Sequence, residues 1–247
     1  MLKLAALPLL VLPLLASADC TEQLADWARA IKPDLKLDKE HAVCKINPAN
    51  ASQTLAALPF AESVTVDGEG DYGLAMLVTD TNSNRIIAQH YQSAAISSDA
   101  IFFDGLTLDT ARYQLAPKLR AFGVRVALRN SSRVVTVDST LLNLYVLEGK
   151  TLRPVMKALE VSRYNGESDG MCTGQFTQTQ RTLSIAGKGM NGMANLQIDE
   201  QVVKTLHKVK GEECESTGSK PVASRTILKY DKGHYEVPDE LSFLGSL

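Results

Sequence analysis

Residues 66–80, VDGEGDYGLAMLVTD, place three carboxylates on alternate positions, Asp67, Glu69 and Asp71, with Gly68 and Gly70 between them. Alternating oxygen ligands and glycines that permit a tight turn are the ingredients of a calcium loop. The helix–loop–helix calcium pattern also needs glycine at its sixth position and a bidentate glutamate at its twelfth. Counted from Asp67, those positions hold Tyr72 and Val78, so the match stops after its first half. The competing reading is a Gly-rich connection that opens a β-strand and keeps its carboxylates in water. Calcium on Asp67, Glu69 and Asp71 is the cofactor the sequence raises, and the expectation is that the protein carries none.

Other chemistry is sparser. Met190 and Met193, with Met171 beside Cys172, have the softness that Cu(I) selects, but no histidine stands near them in the sequence. There is no G-x-S-x-G elbow, no H-E-x-x-H and no Gly-rich phosphate loop between a strand and a helix. Nucleotide cofactors and motif-borne hydrolases are therefore not expected. Asp104, Asp109 and Asp138 fall near the ends of strand-like runs, where a dispersed pair of carboxylates could act as acid and base. Turn and cap duty explains each of them equally well. The stretch FGVRVALRN alternates, with Phe122, Val124, Val126 and Leu128 on one face and Arg125 and Arg129 on the other. Tyrosine and arginine favour protein interfaces, because they bury area while still donating hydrogen bonds. Arg125 and Arg129 are accordingly the candidate contact residues.

The elements that must position these residues belong to an exported chain. Lys3, the apolar run LAALPLLVLPLL and Ala16-Ser17-Ala18 read as a signal peptide over 1–18, too short and too proline-interrupted to span a membrane. No membrane insertion is expected once it is cleaved. In an oxidising compartment the four cysteines imply two disulfides, and local loop closure favours Cys20–Cys44 and Cys172–Cys214. The formal charge of −2 gives no reason to expect nucleic acid as a partner.

Residues 19–60 read as a helical N-terminal segment. One helix follows Thr21 and ends before Pro33, with Leu24, Trp27, Ala28 and Ile31 on one face, and NASQTLAALPF reads as a second. Residues 61–247 read as a β-rich domain of short β-branched and aromatic runs, with turns at DTNSN, EGK and YDKGHY. The expected fold is mainly β: an antiparallel sandwich or two packed sheets with a short helical N-terminal segment. The expected function is that of a non-catalytic periplasmic or secreted binding protein with a protein partner, of the kind that inhibits or confers immunity to an envelope-acting hydrolase. A periplasmic hydrolase with dispersed carboxylates, calcium-dependent or not, and a structural envelope component are the alternatives.

Overall fold

The computed structural model describes residues 20–189 and 192–243. The expected signal peptide and Met190 lie outside them. The fold is mainly β, two antiparallel sheets of which one is curled, with a short N-terminal helix. A 3-10 turn, Cys20–Gln23, leads into α1 (Leu24–Ile31). Gln23, rather than Thr21, occupies the N-cap position. The smaller sheet holds β1 (Lys36–Leu37), β2 (Val43–Ile46), β3 (Gln53–Ala61), β4 (Gly70–Asp80) and β5 (Ile86–Ser98). Its order is β1-β3-β4-β5, and β2 also pairs with β3.

The larger sheet begins with β6 (Phe102–Ala116), β7 (Leu119–Arg129), β8 (Val135–Glu148) and β9 (Thr151–Ser168), and continues with β10 (Gly174–Lys188) and β11 (Ala194–Lys210). These six strands are consecutive antiparallel neighbours. β12 (Glu213–Gly218) and β13 (Val222–Leu228) both pair with β11, and β15 (His234–Tyr235), paired with β14 (Tyr230–Asp231), meets β9 in parallel. The sheet curls until β6 touches β10 and β11.

Three apolar clusters hold the layers together. Phe122, Val124, Val126 and Leu128 are buried, as their alternation predicts, against Leu74, Met76 and Val78 of the smaller sheet. The opposite face of the smaller sheet, Ala56, Leu58, Phe60, Ala75 and Leu77, is covered by Leu24, Trp27 and Ala28 of α1. Trp27 therefore anchors the helix, and its indole N–H donates to the Asn84 carbonyl at 2.7 Å. The curl encloses the third cluster, including Tyr113, Leu142, Leu144, Leu159 and Leu196. Met193 belongs to this cluster, so it serves as packing.

The expected second helix is a correction: NASQTLAALPF supplies β3, in the middle of the smaller sheet. Pro59 is tolerated there because β2 pairs with residues 54–57 and β1 with 60–61, which leaves Pro59 in the gap between them. The smaller sheet thus draws strands from both sides of the expected boundary at 60/61. The disulfides are Cys20–Cys44 and Cys172–Cys214, with Cα separations of 6.1 and 5.7 Å. They fit an oxidising, extracytoplasmic environment.

A charged lock joins the start of the smaller sheet to its edge. Between Tyr72 and Leu74 the β4–β5 register shifts, and Ala94 takes φ +44° in the resulting bulge. The Glu62 carboxylate accepts from Ser93 Oγ at 2.9 Å, from the Ala94 N–H at 2.8 Å and from the Tyr91 hydroxyl. The Tyr91 hydroxyl crosses over Gly73, where a Cβ would lie 2.0 Å from it. Partial burial pushes the Glu62 carboxyl up, but the bonds from Tyr91, Ala94 and Ser93, with the charge of Lys32, outweigh this and hold it below its usual range. A depressed folded-state value stabilises above the unfolded pKa and is lost as pH falls through the folded one. Glu62→Gln should therefore cost about 1–2 kcal/mol at neutral pH. In thermal melts, the gap to the parent protein should begin to narrow below the unfolded-state value of about 4.3 and keep closing as pH falls through the lower folded-state value. A gap of equal size at pH 7 and pH 3 would contradict the assignment.

Candidate binding surfaces

The acidic stretch at 67–71 is a tight hairpin that opens β4. The Thr65 N–H donates to the Glu69 carbonyl at 2.8 Å, and the Glu62 N–H to the Asp71 carbonyl at 3.0 Å. A Cβ at Gly70 would lie 2.1 Å from the Ser63 carbonyl oxygen, so close backbone approach is what requires glycine there. The carboxylates go separate ways. Asp67 lines a groove beside residues 35–41, Glu69 is exposed, and Asp71 accepts from Ser97 Oγ at 3.1 Å. Among the described residues no group of three or more His, Cys, Asp or Glu side chains is arranged to hold a metal ion.

The two candidate arginines lie on β7, facing away from the sandwich core, and both have partners within the chain. Arg125 donates through Nε and Nη2 to the same oxygen of Asp109, at 2.9 and 2.7 Å. Asp109 is 8 % exposed, and it also accepts from the Tyr113 hydroxyl at 3.0 Å and from the Ala111 N–H. Burial and the Asp109 charge push the Tyr113 phenol up, which keeps it protonated as a donor. Arg129 pairs with Asp104 at 2.7 Å in a more open setting and lies over the Phe102 ring. Asp104 and Asp109, two of the three dispersed carboxylates, are thus each held by an arginine of the neighbouring strand.

A deeper charged group was not visible in the sequence. Glu160, 1 % exposed, accepts from Ser139 Oγ, from Arg163 Nε at 2.7 Å and from Arg181 Nη1 at 3.1 Å. Arg181 also binds Glu200 at 2.7 Å and the Glu240 carbonyl. The group satisfies its own charges and ties β8, β9, β10 and β11 to the C-terminal segment.

The surface that stands out lies at one end of the larger sheet. Large hydrophobics are exposed at eight described positions, and five of them, Val134, Val135, Tyr164, Met171 and Val209, belong to the strands and turns at this end, with Val135 on the face opposite Tyr164 and Val209. The Ser168 N–H bonds the Val134 carbonyl, Val135 pairs with Glu167, and Val209 pairs with Cys214. Cys214 is bonded to Cys172, the neighbour of Met171. Asp169 holds this turn by accepting the Met171 and Cys172 N–H groups at 2.9 and 2.8 Å, and those bonds keep its carboxyl below the usual range.

Beside it, an aromatic row crosses three strands. Phe176 stacks parallel on Tyr164 at 5.5 Å and meets His207 edge-on at 5.1 Å. The Phe176 ring covers Gly166 and Gly174, where a Cβ would come within 2.5 and 3.0 Å of it. The glycines let the ring lie flat, and the disulfide fixes the tip. The chain matches no protein-family model, no curated protein and no solved structure.

These geometries separate the two arginines. Arg125→Glu places a second carboxylate against a buried one and removes its cation, so it should destabilise by about 3–5 kcal/mol in urea titration. Arg129→Glu breaks a half-exposed pair and should cost no more than about 1 kcal/mol. Equal losses for the two variants would contradict the environments described.

Proposed function

We propose that this protein is a non-catalytic, exported binding protein that uses the disulfide-fixed tip of its larger sheet to hold a protein partner in the periplasm or outside the cell. The observation that carries the reading is that Val134, Tyr164, Met171 and Val209 are exposed at the end of the larger sheet that the Cys172–Cys214 disulfide ties together. Contiguous exposed apolar surface is costly in water and marks contact sites in soluble proteins. The aromatic row adds contact area that loses little conformational entropy on binding, since Tyr164, Phe176 and His207 already restrain one another. Lys204, Lys208, Glu213 and Glu215 give the opposite face of the same strands a mixed charge. An inhibitor or immunity protein for an envelope-acting hydrolase is the most specific form of this proposal. It accords with a stable, disulfide-bonded scaffold whose contact surface is preformed.

The test is capture from an envelope extract with the mature protein as bait. Met171→Asp and Val209→Asp should leave the circular dichroism spectrum and melting temperature nearly unchanged, because exposed substitutions usually act within about 0.5 kcal/mol. The double variant should lose the captured partner, while Arg129→Glu retains it. Full capture by the double variant would remove the tip as the contact site.

A further inference from the structure

A groove of about 1060 Å³ runs between the segment after α1 and the hairpin that opens β4. It lies apart from the proposed partner surface, in the other sheet. One wall is built from the four residues Asp38–His41. β1 pairs with the end of β3, the Asp38 N–H donates to the Pro59 carbonyl at 2.9 Å, and the chain then turns back on the Asp38 side chain. Asp38 Oδ1 accepts the Glu40 and His41 N–H groups, while Oδ2 contacts His41 Nδ1 at 2.6 Å. A carboxylate can only accept, so Nδ1 carries a proton and Nε2 is the ring nitrogen left for another partner. The imidazole packs on Phe103 at 4.7 Å, and Tyr72 meets the same ring at 5.3 Å. Packing and the carboxylate thus hold His41 in one orientation, with three-quarters of the Asp38–His41 pair buried.

The electrostatics of the groove differ from those of the chain. Lys32, Lys36 and Lys39 line it against Asp38, Glu40 and Asp67, a balanced set beside an Arg29 already paired with Asp26, whereas the whole chain is formally −2. Lys36 and Lys39 are exposed and form no ion pair among the described residues, while Lys32 lies over the Tyr91 ring. Burial and the charge of Asp38 push the Tyr72 phenol up, so it remains a neutral hydroxyl, held by the Gly68 carbonyl at 3.4 Å.

We infer that this groove binds a small anionic ligand that also carries hydroxyl groups, of the sugar-phosphate or sugar-acid class. Lys36 and Lys39 receive the anionic group, while His41 Nε2 and the Tyr72 hydroxyl hydrogen-bond the hydroxyls. The volume is at the upper end of the roughly 300–1,000 Å³ of ligand pockets, so it accommodates a ligand larger than an inorganic ion.

The test uses the mature, disulfide-bonded protein and four probes: glucose 6-phosphate, glucuronate, glucose and inorganic phosphate. In amide and imidazole NMR titrations, glucose 6-phosphate or glucuronate should produce saturable shifts at 36–41, 65–68 and Tyr72. Each should bind at least about fivefold more tightly than glucose or phosphate alone. The arm that saturates first distinguishes a phosphate from a carboxylate. Lys36→Glu with Lys39→Glu should weaken binding at least about tenfold, and the control pair Lys118→Glu with Lys188→Glu by less than about twofold. His41→Gln should weaken it with the fold intact by circular dichroism. The inference is overturned by the absence of saturable shifts up to about 20 mM of any probe. It is equally overturned by shifts that map elsewhere, or by equal weakening in the two lysine pairs. The shift map on the parent protein decides the matter even if a variant misfolds.

Discussion

Thr54–Phe60 of β3 have no wet face. Leu55 and Ala57 point into the sandwich, Ala56, Leu58 and Phe60 point under α1, and every one of these side chains has essentially no solvent exposure. Burial on both sides makes the smaller sheet a middle layer, with a helix on one face and the curled sheet on the other. The other parts of that half of the molecule take their positions from this. α1 is needed as a cover, and Cys20–Cys44 ties its approach to β2, the neighbour of β3. Full burial of a Leu or Phe contributes about 1.5–3 kcal/mol, so this one strand supplies a substantial share of the apolar stabilisation.

The same double burial explains which parts of the fold could be read from the chain. FGVRVALRN has one apolar face and one polar face, and its period of two shows directly in the sequence. NASQTLAALPF has no polar face at all. A continuous run of Ala and Leu carries no period, and these residue types favour helices when nothing else decides. The strand assignment comes from the layers on either side, which lie elsewhere in the chain. Pro59 also argues against a strand on sequence alone, since a proline in a central strand is admissible only where the neighbouring ladder is interrupted.

The candidate surfaces divide in the same way. The outward direction of Arg125 followed from alternation, but its partner Asp109 depends on a hairpin register that shifts between Asp109 and Tyr113. A one-residue change in such a register moves a side chain to the other face, and single-sequence reading does not fix it. The tip was out of reach for a related reason. Val134, Tyr164, Met171 and Val209 come from four separate stretches that meet only through long strands and a disulfide. The Asp38–His41 contact, by contrast, is local. LDKEHAVC holds a carboxylate three residues before a histidine, a spacing that lets the side chain cap a turn and reach the imidazole.

The double-faced layer also bears on how the chain assembles as it is made. All strands of the smaller sheet lie within residues 36–98, ahead of every strand of the larger one, and α1 and both partners of the first disulfide also come before residue 98. An N-terminal unit of helix and sheet can form early, when only its α1-facing side has its cover. Until β6, β7 and β8 emerge, Leu55, Leu74, Met76, Val78 and Ile96 remain a bare greasy plate, open to the wrong neighbours. Delivery of the polypeptide thus imposes an interval of vulnerability, whose length is set by the time between residue 98 and the completion of β8 at residue 148. Any slowing of chain emergence over residues 98–148 would prolong the exposure.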